Sequence, residues 1–362
     1  MPKFIDIDPL NKTSLEKMGF SWHTDLESDY IVLDTFLQLS SVEVEAYVKA
    51  TNEIYKMYET SAEYVVKNEL FEELDIPPKL IPQIKKSWKK ERGNHLYGRF
   101  DLSGGIDGKE IKLIEFNADT PTVLLESVVI QYMMLQYNKS VEAEQFNNIY
   151  DAISQTFLKI AKSQKGEYSR FLFSCVKDIH EEEVTTKLLE SMAKDAGLIT
   201  EFSFLEDTDV DNGFDFWFKL YPWEYMEDFQ VEGHTMMLNP AYTLLYQSKG
   251  MLAILYKLFP NSPYLLKTEF QPIEEKYVQK RMFGREGANI NIVENGEIIT
   301  ATDGLYAEYK SIYQEYTEFV KDKENNHYQA GVFYSNGACG ISFRRGAEIL
   351  DDKSQVLAHV VR

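Results

Sequence analysis

Tyr97-Gly98-Arg99-Phe100-Asp101 and, after a glycine-rich turn at 103–108, Leu113-Ile114-Glu115-Phe116-Asn117-Ala118-Asp119-Thr120 carry the decisive pattern. Polar and apolar side chains alternate in each run, and residues two apart share a face of a strand. Arg99 and Asp101 therefore point one way, as do Glu115 and Asn117. If the strands expected over 97–102 and 111–117 pair, three oxygen donors and one guanidinium converge on a single patch. Hard oxygen donors suit Mg²⁺, which is commonly shared with nucleotide phosphates. An arginine beside them offers planar donors to a phosphoryl group or carboxylate. The same alternation also describes a half-exposed sheet whose polar face meets water. In the polar turn that follows, Asp119, Thr120 and Thr122 either bond a ligand or cap the next helix.

Working outward, residues 41–74 read as one long amphipathic helix, with Val44, Tyr47, Val48, Tyr55, Tyr58, Ala62 and Val65 at three- and four-residue spacings. Pro77-Pro78 is expected to end it, because proline cannot continue a hydrogen-bonded helix. The basic stretch 79–92 reads as a solvated helix face or an anion site. Helices are expected over 124–137, 146–161, 182–196 and 251–259, and core strands over 170–176 and 214–221. Asn336-Gly337, between strands at 327–335 and 339–344, is a hairpin turn signal. Strands and helices without regular βαβ alternation predict an α+β fold.

A second glycine-bearing loop, Lys280-Arg281-Met282-Phe283-Gly284-Arg285-Glu286-Gly287-Ala288-Asn289, lies between strands expected at 277–282 and 289–293. Glycines there would let backbone N–H groups approach phosphate oxygens, with Lys280 adding a point charge. A plain hairpin loop explains the same residues. Lys249-Gly250 reads as an exposed helix start, and Arg344-Arg345 as edge-strand cations. Glu181-Glu182-Glu183 opens a helix, where acidic side chains complement the macrodipole, or holds a polycationic substrate. The histidines show no metal-site spacing, and neither Cys175 nor Cys339 has a histidine partner for nucleophilic chemistry.

The 362 residues carry 38 Lys+Arg against 58 Asp+Glu, a formal net charge of −20. That field argues against nucleic acid or an anionic membrane surface as partner. It leaves room for a cationic substrate, a metal or a metal–nucleotide complex. Two cysteines and no apolar leader or spanning segment predict a soluble cytoplasmic protein. No Gly/Ser/Pro linker divides the chain.

In their order, these blocks resemble the synthetase domain of the glutathionylspermidine synthase family, ATP-grasp ligases that join a carboxylate to an amine. The resemblance runs from Met18-Gly19-Phe20-Ser21-Trp22-His23-Thr24 through the two strand blocks. It continues through Phe218-Lys219-Leu220-Tyr221-Pro222-Trp223-Glu224 and the 280–289 loop to Phe343-Arg344. It implies a single ATP-grasp domain over 1–362, in the permuted order of this family and without an amidase domain. Asp101, Glu115 and Asn117 would then ligate Mg²⁺, with two ions expected. Arg99 and Arg344 would stabilise phosphoryl transfer. Lys249, Lys280, Gly284, Gly287, Ala288 and Gln329 would contact ATP, with Tyr328-Gln329-Ala330 bordering the adenine. Thr120, Thr122, Glu181 and Glu182 would receive the substrates, a peptide-like acid and a polyamine-like amine. The implied partners are small molecules, with a homodimer left open.

There are departures from the family pattern. Leu220 and Tyr225 stand where threonines flank the Trp-Glu pair, Asn239-Pro240 replaces Glu-Pro, and Tyr242 replaces tryptophan. The alternative class is a catalytically inactive nucleotide-binding paralogue that serves as a partner or sensor.

Overall fold

The computed structural model describes residues 1–24, 29–166, 168–208, 213–228 and 234–362. Among these, three sheets carry the architecture. The largest joins β1 (Lys3–Asp6), β2 (Ile31–Leu39), β3 (Gly98–Ser103), β4 (Lys112–Asn117), β14 (Val320–Lys321), β15 (His327–Tyr334), β16 (Ala338–Gly346) and β17 (Gln355–Val361). Its order is β1-β2-β17-β16-β15-β3-β4, with β14 paired to β15. A four-stranded parallel sheet contains β5 (Arg170–Cys175), β6 (Ile199–Phe202), β7 (Phe216–Leu220) and β8 (Met236–Leu238) in the order β6-β5-β7-β8. The third contains β9 (Thr268–Glu269), β10 (Tyr277–Arg281), β11 (Asn291–Glu294), β12 (Glu297–Ala301) and β13 (Ser311–Glu315), in the order β12-β11-β10-β13-β9. The helices are α1 (Lys12–Lys17), α2 (Ser41–Asn68), α3 (Ile81–Lys90), α4 (Gln131–Tyr137), α5 (Ile149–Gln164), α6 (His180–Asp195), α7 (Thr243–Gln247) and α8 (Gly250–Leu258). None is long and apolar enough to cross a membrane.

Helix α2 starts at a capping box. Ser40 Oγ accepts from the Glu43 backbone N–H, and Glu43 returns a carboxylate to the Ser40 N–H at 2.8 Å. Its buried face, Tyr47, Ile54, Tyr58, Ala62 and Val65, lies on the apolar side of the large sheet. There Phe100 and Phe116 stack at 3.7 Å between centroids, and Tyr58 meets Phe116 edge-on at 5.1 Å. Each aromatic buried this way contributes about 1.5–3 kcal/mol. The helix stops at Glu69, in a left-handed conformation at φ 58°, where Leu70 N–H reaches the Val65 carbonyl. The expected end at 74 is thus corrected: local C-cap geometry acts before the prolines do. Pro78 instead opens a short 3-10 turn leading into α3.

Apolar packing covers the other face only in part, and around β3, β4 and the adjoining ends of β15 and β16 that face is polar and open to a cavity. The pairing Arg99↔Asn117 and Asp101↔Glu115, with Gly331↔Asp101 and Gln329↔Arg344 beside it, sets Arg99, Asp101, Glu115, Asn117, Gln329 and Arg344 on that second face. Strand β16 lies between β15 and β17, so Arg344 and Arg345 are on an interior strand rather than an edge.

Candidate active site

The polar face of the large sheet forms one wall of a cavity of about 610 Å³. The second wall is the sheet of β10 and β13 with the 282–290 loop between β10 and β11. The third is the carboxyl end of the parallel sheet, where β5 leads into α6 and β7 ends at Leu220. Ligands characteristically bind at the carboxyl ends of parallel strands. Trp22 and Tyr30 close the N-terminal side.

Fifteen of the residues singled out from the sequence line this cavity: Arg99, Asp101, Glu115, Asn117, Thr120, Thr122, Glu181, Glu182, Lys249, Lys280, Gly284, Gly287, Ala288, Gln329 and Arg344. At its floor Arg99 grips Asp101 bidentately, Nε to Oδ1 at 2.7 Å and Nη2 to Oδ2 at 3.0 Å. The Asn117 amide donates to Asp101 at 3.0 Å and more weakly to Glu115 at 3.4 Å. Lys249 is buried, not an exposed helix start; its Nζ lies 3.1 Å from Glu115 Oε2 and 2.6 Å from the Gly284 carbonyl. Lys280 projects from β10 to Gln314 at 2.7 Å and to the Ile114 carbonyl.

These contacts set the local electrostatics. Burial pushes the Lys280 ammonium down to about 8, against the attraction of Glu115. Burial also opposes ionisation of Glu115, but Lys249, Lys280 and Arg99 outweigh it and hold the carboxyl below its usual range. In a chain of net charge −20, the floor is a local island of cations.

Among the described residues no three His, Cys, Asp or Glu side chains cluster as a metal site. The candidate donors are two carboxylates and an amide. Both carboxylates accept from the Asn117 amide across a single strand pair, and half a turn of that amide places oxygen where its NH₂ stands. This donor set fits a hard cation that completes its shell with water and phosphate oxygens.

One glycine lets the loop between β10 and β11 pack closely against the connection between β16 and β17. Gly287 sits at φ +67°, and a Cβ there would lie 2.5 Å from the Leu350 carbonyl oxygen in the connection between β16 and β17. On the same connection, Asp351 accepts from Arg344 Nη2 at 2.7 Å through its carbonyl, and the Arg344 guanidinium lies 5.7 Å from the Tyr30 ring centroid.

Glu181 and Glu182 sit in the first turn of α6 and face the cavity. Burial, joined by repulsion from Glu126 and Glu286, pushes Glu181 up to about 7. Burial does the same for Glu182, against the pull of the Val176 backbone and Arg285.

Two expectations are corrected. Tyr328 and Ala330 turn to the apolar side and only Gln329 of that trio reaches the cavity, because neighbours on a strand point oppositely. Asp119 neither faces a ligand nor caps a helix. It is fully buried, and Lys219 binds it at 2.8 and 3.0 Å. The sequence reading also missed Arg285, which lines the cavity, pairs with buried Glu224 and donates to Thr120 Oγ1 at 3.3 Å. Its place in the glycine loop was the available signal.

Several known proteins are similar in sequence or fold. A candidate acid–amine ligase of Haemophilus influenzae is 29% identical, covering 91% of each chain. The bifunctional glutathionylspermidine synthetase/amidase of Escherichia coli is 26% identical over 96% of this chain but 61% of its own length. Trypanothione synthetase of Crithidia fasciculata is 26% identical over 82% of this chain and 50% of its own. The chain thus spans only part of the two longer relatives. A glutathione synthetase-like effector from Globodera pallida shares the fold, with a TM-score of 0.58 at 12% identity over 90% of this chain and 89% of that one. The family model described as glutathionylspermidine synthase preATP-grasp matches residues 3–362, and the chain belongs to that family.

Proposed function

We propose that the chain is an ATP- and Mg²⁺-dependent ligase. It joins a peptide-like carboxylate, glutathione-like in character, to a polyamine-like amine. The observation that carries this reading is the convergence of Asp101 and Glu115 with Lys249, Lys280, Arg99 and Arg344 in one cavity. The ligase names of its relatives support it. The whole chain acts as one ATP-grasp unit. The acidic strands precede Lys249 and Lys280, which supports the permuted order. Free, buried Cys175 and Cys339 suit a reducing cytoplasm.

In the reaction, an oxygen of the acid's carboxylate attacks the γ-phosphorus of ATP and ADP leaves, giving an acyl phosphate. The amine nitrogen then attacks the acyl carbon, phosphate leaves and the amide remains. Lys249 and Lys280 neutralise the ATP phosphates, while Gly284, Gly287 and Ala288 bring backbone to them and Gln329 adds a side-chain contact. Arg99 and Arg344 hold charge developing on the transferring phosphoryl group. Asp101, Glu115 and Asn117 would hold Mg²⁺, two ions by family likeness, which would supply further charge neutralisation there. Thr120 and Thr122 orient the acid. Glu181 and Glu182 receive the cationic amine, and carboxyls held near neutrality can also take up the proton the attacking amine releases.

The test is ADP and phosphate release across a panel of small peptides and polyamines, with mass detection of the amide. Release that requires both an acid and an amine supports the reading. Tight MgATP binding without turnover for any pair would favour the inactive nucleotide-binding paralogue.

A further inference from the structure

Beneath the cavity floor lies an ion pair that this reaction scheme does not use. Lys219 and Asp119 are both fully buried and meet through two contacts, at 2.8 and 3.0 Å. The Trp223 backbone N–H also donates to Asp119 at 2.9 Å, and the Lys219 ammonium lies 4.6 Å from the Trp223 ring centroid. The Asp119 backbone is equally constrained. Its N–H donates to Gln247 at 3.2 Å and its carbonyl accepts from Asn239 at 2.9 Å. Burial pushes the Lys219 ammonium down and the Asp119 carboxyl up, each opposed by the other's charge.

A buried pair of this kind is a poor source of stability, since desolvation offsets most of the attraction and apolar replacements are often neutral. Its connections suggest a different use. One residue on, Thr120 Oγ1 accepts from Arg285 at 3.3 Å; three residues on, the Thr122 carbonyl accepts from Arg99 at 2.9 Å. One residue after Trp223, Glu224 holds Arg285 from the other side. Among the described residues Glu224 Oε2 and Arg285 Nε have no partner, so a single contact rather than a two-point fork joins them. The surrounding framework therefore sets where Arg285 stands, and Asp119 is the point where the Thr120 and Trp223 segments of that framework meet.

We infer that Asp119 and Lys219 are positioning residues, fixing the placement of Arg99 and Arg285 across the cavity through the 120–122 turn and the Trp223–Glu224 turn. This rests on the ligase reading for its consequence in turnover, though not for its geometry. A misplacement of about 1 Å in such an arrangement costs roughly 10²-fold in rate.

Lys219→Met alone strands a buried carboxylate and can unfold the protein, so the informative variant is the neutral double Lys219→Met/Asp119→Asn, in which the new amide oxygen still accepts from Trp223. Expected are a melting temperature within a few degrees of wild type, MgATP binding within about threefold, and kcat/KM for the acid lowered roughly 30-fold or more. Its crystal structure should show the Arg99–Thr122 contact broken or the Arg99–Arg285 spacing changed. A folded double variant with wild-type kcat/KM and unchanged arginine spacing overturns the inference. So does failure of the neutral variant to fold, which would make the pair a stability element. If wild type itself shows no acid-dependent ADP release, the ligase reading fails separately, and the crystallographic spacing alone decides this one.

Discussion

Gly287→Ala should displace the 282–290 loop from the connection between β16 and β17 and weaken MgATP binding. The added Cβ would lie 2.5 Å from the Leu350 carbonyl oxygen and 3.2 Å from Asp351 Cα, both backbone atoms with little freedom to retreat. The residue would also be held at φ +67°, a left-handed conformation that costs a side chain about 1–2 kcal/mol. Overpacking adds about 1–3 kcal/mol, so the loop is asked to absorb roughly 2–5 kcal/mol and should instead open. One other glycine separates the contributions. Gly296→Ala bears the same kind of strain at φ +81° with nothing within 4 Å. Calorimetric titration of MgATP should show a 10- to 100-fold loss for Gly287→Ala, about 1.4–2.8 kcal/mol. Gly296→Ala should bind within about threefold of wild type. Wild-type affinity in Gly287→Ala, or an equal loss in Gly296→Ala, would refute the assignment of this loop to the nucleotide wall.

Arg344→Ala should lower kcat about 10²–10³-fold while MgATP affinity changes little, because its contacts are with Asp351 and Tyr30 rather than with Lys249 or Lys280; steady-state kinetics beside titration checks the split. With Glu181 and Glu182 pushed up to about 7, a cationic amine meets more negative charge as pH rises. Its KM should therefore fall about tenfold between pH 6 and 8, and Glu181→Gln/Glu182→Gln should flatten that profile. The sign for stability is the reverse. Between about 4.5 and about 7 the folded chain keeps protons that the unfolded chain has released. Stability should decline through that window as pH rises, and less so in the double variant, as melting curves will show.

The strand pair of β3 and β4 was legible because a sheet with one apolar and one polar face prints its period directly on the sequence, and Arg99, Asp101, Glu115 and Asn117 stand on that polar face. The glycine loop was legible for a related reason, since the close approach of Gly287 to the Leu350 carbonyl leaves no room for a side chain. What escaped depends on contacts far apart in sequence. Spacing alone presents Lys249 as an exposed helix start and only the resemblance puts it at the ATP phosphates, because it is Glu115, more than a hundred residues earlier, that draws it inside. Asp119 read as a ligand or cap because nothing local announces Lys219. Strands β1, β2 and β17 join the large sheet by pairings, one of them parallel, that no hairpin turn signals.

The central claim, transfer of phosphoryl to a carboxylate followed by displacement by an amine, is tested most directly by isotope transfer. A γ-glutamyl tripeptide labelled with ¹⁸O in its terminal carboxylate is incubated with MgATP, spermidine and the enzyme, and the released phosphate and amide are analysed by mass. The account predicts one carboxylate ¹⁸O in the phosphate for each amide formed. Amide accompanied by unlabelled phosphate would contradict it.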